Sequence, residues 1–383
     1  RQLFSARIQS PLLQTLRSIG MGLVGGLFVS AASIGLGIVV RVQDMWLLSA
    51  IAILLALVRV RFLCLAYASG VLAMLHTIAL LAPGLRDIAV IGPVWDLLIQ
   101  AKPLSLLALA AILHLAEALL VRWNGGKDAS PLFIEGKRGR ILGAYELHSF
   151  WLTPLVLVVD VPSGWSAGGG ALFAGWPMFS PDVTAWSLLM LPAVTGFSDL
   201  TQTMIPRQKA REIAGKLALY SLILLGLAYA TVWVPALLIL TALFAILGHE
   251  GMVLFSRWRE SKLTPYFIQS TKGLKVMAVL PNTPAAEMGI QPGEIITKVN
   301  GTTVRSKEQL YPALQINSAF CKMEVLTHGG EIKFVQCAVY AGNHHQLGII
   351  VVPDASTQYF VDIRRSSIVQ LIKQKMQKLN IGA

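Results

Sequence analysis

Two ionisable pairs lie within apolar stretches of the chain, His114 with Glu117 three residues on and His249 followed directly by Glu250, while His76 stands alone in a third. Such a group facing lipid costs about 3 kcal/mol or more, so each is a functional candidate. Zinc hydrolysis on a helix needs His-Glu-x-x-His, in which two imidazoles one turn apart hold the ion and the glutamate polarises water. Here the run is His249-Glu250-Gly251-Met252-Val253, and the second imidazole is missing. No Asn-Pro-Asp-Gly or Leu-Asp-Gly segment supplies a further ligand, and Asp199 in FSDL is a poor substitute. Cys64, Cys321 and Cys337 have neither metal-ligand spacing nor the count of a disulfide framework. No catalytic set, metal ligand or cofactor is therefore assigned. The milder expectation is that His249 and Glu250 hydrogen-bond to neighbouring helices or to Arg257, with Glu117 within reach of His114. A polar transport path would use the same groups.

These residues need elements to hold them. With 55% hydrophobic and 14% charged residues and a mean hydropathy of +0.63, the 383 residues cannot coat a soluble globule of that size. The expected class is an α-helical polytopic membrane bundle. The net charge of +12 then reports loop orientation and contact with anionic lipid, not nucleic acid. Apolar runs cover residues 19–40, 45–60, 62–82, 103–121, 149–162, 185–198, 214–232 and 235–256. The first outruns a cleavable signal core and is expected to be a retained span. A full helical span needs about 20 residues, so the short fifth and sixth runs are expected to be tilted half-helices or a re-entrant pair, giving six to eight spans. Gly22-x-x-x-Gly26 permits close helix contact, within the chain or in a homodimer.

Lys and Arg distribution predicts orientation. With a cytoplasmic N-terminus, fourteen fall on the inner side and three, Arg41, Arg86 and Lys102, on the outer side, where the Gly-rich segment 161–182 has none. An even span number puts the C-terminus inside too, so Cys321 and Cys337 are expected to be free thiols. In the inner segment 122–150, PLFIE and ILGAYEL flank the turn GKRGR and predict a β-hairpin against the inner leaflet.

Beyond residue 257 the pattern changes. GLKVMAVL (273–280) alternates like a half-buried strand, and Asn282 or Thr283 can cap a short helix that starts at Pro284 and stops at Gly289. A Pro292-Gly293 turn, the strand EIITKV and the Asn300-Gly301 hairpin signal follow. Ser306-x-x-Gln309 predicts a capping box for a second helix, weakened by Pro312. A hairpin centred on Gly329 would set Cys321 opposite Cys337.

This run, V-x-x-V-x-x-x-x-P-A-x-x-x-G-I-x-x-G-E-x-I-x-x-V-N-G within 270–353, resembles a PDZ domain, an α+β peptide-binding module. The carboxylate loop of that family is absent before Gly273, and its nearest match is Leu347-Gly348-Ile349-Ile350, after the last hairpin. The resemblance therefore implies a circularly permuted order. It also implies a groove in which a partner's extended segment or C-terminus adds along 347–352 with its terminal side chain against Leu310 and Leu314. The tail 354–383 places Ile368, Leu371, Ile372, Met376 and Leu379 on one helical face and lysines on another, as in a basic amphipathic helix.

Spans in 1–257, a PDZ domain in 258–353, the segment WNGGKDASPLFIEGKRGRILGAYELHSFW and the LGHE at the last apolar run together resemble the MinJ family of cell-division membrane proteins. The resemblance implies a non-enzymatic scaffold at septa and poles that bridges cytoplasmic DivIVA-like and MinD-like partners. A PDZ-bearing intramembrane metalloprotease, or a degenerate relative of one, is the alternative.

Overall fold

The computed structural model describes residues 11–136, 139–317, 319–338, 347–354, 357 and 359–361. Its first part contains α1 (Pro11–Leu36), β1 (Val39–Arg41), α2 (Val42–Val58), α3 (Leu65–Leu81), α4 (Gly92–Gln100) and α5 (Pro103–Asn124). After an intervening sheet come α6 (Pro206–Trp233) and α7 (Leu238–Lys262). The breaks are chemical: Pro103 and Pro206 sit in first turns, where a missing N–H costs nothing, and Pro235 separates α6 from α7. Among the described residues, four helices are long and apolar enough to cross a membrane: α1, α5, α6 and α7 with its leading turn. At 17 residues each, α2 and α3 reach only about 25 Å. The most enclosed helix is α5, flanked by α1, α3 and α6, its buried residues largely alanine and leucine with Ser105, His114 and Asn124 among them.

The fifth and sixth apolar runs are not half-helices. They lie in two long strands, β3 (Ile141–Asp160) and β5 (Ala185–Thr201), which pair antiparallel from Tyr145 opposite Thr201 to Asp160 opposite Trp186. Two facts favour strand over helix: prolines at 154 and 192 would each break a helix, and they face each other across the ladder. β2 (Ser130–Glu135) pairs with the start of β3 up to Glu135 opposite Ile141, β1 runs parallel to its end, and the short β4 (Gly168–Gly169) joins β5.

An open strand edge leaves backbone N–H and C=O groups that need partners. On the β3 side they come from α1. Its small residues Ser18, Gly22, Gly26 and Ser30, four apart, lie against Phe150, Leu152, Pro154 and Val156, two apart. Four helical residues rise about 6 Å and two strand residues about 6.6 Å, so the two repeats stay in step. The Ser18 hydroxyl donates to the Phe150 carbonyl, and the Val156 N–H donates to Ser30 Oγ at 2.8 Å. Gly22 and Gly26 thus serve contact within the chain, against a strand and not another helix.

The C-terminal part is a sheet in the order β10-β9-β7-β6-β11, with β8 beside β7. The strands are β6 (Leu274–Val279), β7 (Ile295–Val299), β8 (Thr302–Thr303), β9 (Phe320–Leu326), β10 (Ile332–Ala338) and β11 (Ile349–Val351), with helices α8 (Pro284–Glu287) and α9 (Lys307–Gln315). Asn300 and Gly301 both have positive φ, as a type I′ turn requires. Cys321 faces Cys337 across the β9–β10 ladder, and both are free. Two capping expectations fail. The Thr283 hydroxyl turns back to the Leu280 carbonyl, and Gln309 accepts from the Arg305 N–H instead of closing a box on Ser306. Pro312 is accommodated inside α9.

The sheet is packed onto the membrane-side elements. The Gly143 N–H donates to the Phe267 carbonyl at 3.0 Å, and the Tyr145 hydroxyl donates to the Met277 carbonyl. Met277, Ile350 and Val352 share a core with Tyr145, Leu147, Phe197 and Phe267. Beneath that contact, Lys209 of α6 is buried with its ammonium 2.8 Å from Glu260 and 3.5 Å from Asp199. The proposed tail helix, residues 362–383, lies outside the described residues.

Candidate functional site

β11 occupies the end of the sheet, antiparallel to β6 with Ile349 opposite Val279 and Ile350 opposite Ala278. The turn into it is fixed by Gly348, at φ +79, where any Cβ would overlap the Thr283 side chain. The Gly348 carbonyl accepts from the Leu280 N–H at 2.8 Å and the Leu347 carbonyl from the Ala285 N–H at 3.1 Å. Since Gly348 and Ile350 bond inward to β6, ladder alternation turns the N–H and C=O of Ile349 to the outer edge. Among the described residues, no strand pairs with that edge.

The side chains divide differently from the sequence expectation. Leu310, Leu314 and Leu347 are all buried in one core with Val276, Ile296 and Val325, so they form the floor under the edge and not an open wall. Ile349 and Val351 are half-buried and rest on that floor, whereas Ile350 points to the opposite side, toward Tyr145 and Phe267. The same core raises the Cys321 thiol to about 12, through burial first and the neighbouring Cys337 second. Lys275, whose ammonium lies 3.8 Å from the Tyr266 ring centroid, is pushed down by burial.

Within the bundle, the two His-Glu pairs meet partners the sequence did not indicate. Glu250 forms a 2.5 Å ion pair with Arg61, not Arg257, and accepts the Tyr67 hydroxyl at 2.7 Å. His249 Nδ1 lies 3.1 Å from the Tyr67 oxygen. His114 is buried, with Nδ1 2.7 Å from the Ala110 carbonyl and Nε2 3.1 Å from Cys64 Sγ. The rings of His114 and His249 stand nearly perpendicular with centroids 5.2 Å apart. Glu117 is half-buried and makes no hydrogen bond to His114 among the described residues, and His76 Nδ1 lies 2.8 Å from the Leu98 carbonyl. Asp199 accepts from Ser256 at 2.9 Å, away from the histidines. Arg61, Cys64 and Tyr67 escaped sequence reasoning because they are 50 to 189 residues from their partners. Their only local signal is a polar or sulfur side chain at every third residue leading into α3.

Comparison with known proteins adds to this geometry. Residues 275–324 match the PDZ domain family. Over 244 residues the chain is 32% identical to the cell division topological determinant MinJ of Bacillus subtilis (strain 168), covering 63% of this chain and 60% of that protein. Over 284 residues it is 28% identical to the probable cell division topological determinants MinJ of Lacticaseibacillus paracasei and Lacticaseibacillus casei (strain BD-II), covering 71% of each chain. A PDZ domain of an SdrC-like protein from Listeria monocytogenes aligns with 21% of this chain and 90% of its own length, at 20% identity and a TM-score of 0.19. The chain carries a PDZ domain and is similar to MinJ proteins.

Proposed function

We propose that the chain is a multi-pass membrane adaptor of cell division, non-enzymatic, which captures an extended segment of a cytoplasmic partner by strand addition to β11. The observation that carries this reading is the outward main chain of Ile349 at the end of a PDZ sheet, with half-buried apolar side chains beside it. The names of the MinJ relatives support a role in division-site placement, and DivIVA-like and MinD-like proteins are the partners the resemblance implies. Four long apolar helices support membrane insertion, and the charge bias supports cytoplasmic termini, with placement at septum and poles following from the division role. A cavity of about 540 Å³ between the β2–β3 hairpin, the start of α6 and the PDZ domain is lined in part by Lys127, Arg207 and Arg211, which suits contact with anionic lipid. The non-enzymatic reading is supported by Glu250, whose two oxygens are held by Arg61 and Tyr67.

Ile349→Pro removes the outward N–H while leaving the inward ladder of Gly348 and Ile350 intact, a change edge strands tolerate. The variant should remain in the membrane fraction, while co-purification of the DivIVA-like and MinD-like proteins falls to background. Undiminished recovery of both would contradict strand addition at this edge.

A further inference from the structure

We propose that Cys64, His114 and His249 form a zinc-binding site inside the helical bundle. The three come from the start of α3 and the interiors of α5 and α7, and their sulfur and ring-nitrogen atoms lie within 4.8 Å of one another. Cys64 Sγ is 3.1 Å from Nε2 of His114 and 3.8 Å from Nε2 of His249. Zinc with Zn–S of about 2.3 Å and Zn–N of about 2.0 Å at tetrahedral angles sets sulfur and nitrogen about 3.5 Å apart. The two separations bracket that value.

Proton bookkeeping strengthens the geometry. His114 Nδ1 faces the Ala110 carbonyl, which can only accept, so Nδ1 carries the proton and Nε2 a lone pair. The Tyr67 hydroxyl donates its hydrogen bond to Glu250, which also pairs with Arg61, leaving the tyrosine oxygen to accept from His249 Nδ1. His249 Nε2 therefore also presents a lone pair. Two lone pairs converge on a thiol that has one proton, so hydrogen bonding satisfies only one of them. A cation satisfies both, and its arrival releases the Cys64 proton to solvent.

The donor set selects the metal. One sulfur and two imidazoles suit zinc, whereas magnesium and calcium require oxygen ligands. The Glu250–Tyr67–His249 chain and the Ala110 carbonyl act as the outer partners that fix imidazole orientation in metal sites. With Glu250 engaged there, the ion's role is to tie α3, α5 and α7 together. The site was hidden in the sequence because Cys64 lies 50 residues from His114 and 185 from His249.

The test uses the full chain purified in detergent, loaded with Zn²⁺ or Co²⁺ and freed of excess by gel filtration. Elemental analysis should find stoichiometric zinc, and the cobalt form should show a thiolate-to-metal charge-transfer band. Cys64→Ser should lose that band and His249→Ala the stoichiometric metal, Tyr67→Phe should bind zinc about 10–100-fold more weakly, and Glu117→Gln should bind as wild type. Chelator should lower the unfolding temperature of wild-type protein and Glu117→Gln, and leave that of Cys64→Ser and His249→Ala unchanged. No retained metal in wild-type protein, or equal metal and an unchanged cobalt spectrum in Cys64→Ser, would mean a hydrogen-bonded trio only and would overturn the proposal. Should a variant fail to fold, the wild-type cobalt spectrum and chelator arms still decide.

Discussion

Gly22 of α1 lies so close to the Leu152 carbonyl that no side chain fits between them. Gly26 stands in the same relation to Pro154, whereas Gly20 and Gly35 face open space. Gly22→Leu or Gly26→Leu must therefore separate helix from strand, at a cost of about 1–3 kcal/mol or more. Lower unfolding temperature and broadened elution in detergent are expected for both, with Gly20→Ala and Gly35→Ala near wild type. If all four behave alike, the helix–strand contact does not hold the hairpin.

The buried Lys209 is the second point at which the membrane-side elements are joined. Its ammonium touches Glu260 and Ser256, and Glu260 also accepts from Thr201 and the Gln202 N–H. Removing one partner of such a pair leaves a buried charge and costs about 3–5 kcal/mol. Lys209→Met should thus destabilise more than the double variant Lys209→Met with Glu260→Gln. Thermal unfolding in detergent reads the difference, and a double variant no better than the single would contradict the pairing.

Alkaline pH should weaken the PDZ core through Cys321. Its thiol is raised to about 12 in the folded protein, above the unfolded value of about 8.5. For a group raised on folding, the stabilising contribution is complete below the unfolded value and is lost as pH rises through the folded one. Denaturant midpoints should therefore decline from about pH 8.5 upward, and Cys321→Ala should flatten that limb. An unchanged slope in the variant would assign the decline to other groups.

The turns of the PDZ domain could be read directly, because Asn300-Gly301, Pro292-Gly293 and Gly289 each encode a backbone conformation that few other residues adopt. The β9–β10 register followed from Gly329, which placed Cys321 opposite Cys337. Hydrophobicity and length alone do not separate a buried strand from a short helix, so the runs at 149–162 and 185–198 fit half-helices as well as strands. Pro154 and Pro192 are the residues that decide for strands. Exposure along the groove was also illegible: Leu347 and Leu314 carry the right residue type for a wall, yet only packing reveals them as floor. The cysteine–histidine cluster lies in contacts between helices, which no local spacing encodes.

Gly348 and Leu314 are poor probes of partner capture, since a side chain at the first overlaps Thr283 and a charge at the second enters the core. The direct measurement is photocrosslinking in cells from a photoreactive residue at Ile349, half-buried at the sheet edge. The adaptor account predicts adducts with an extended segment of a cytoplasmic division protein. Adducts confined to the chain's own polypeptide would show the edge already filled and would contradict the account.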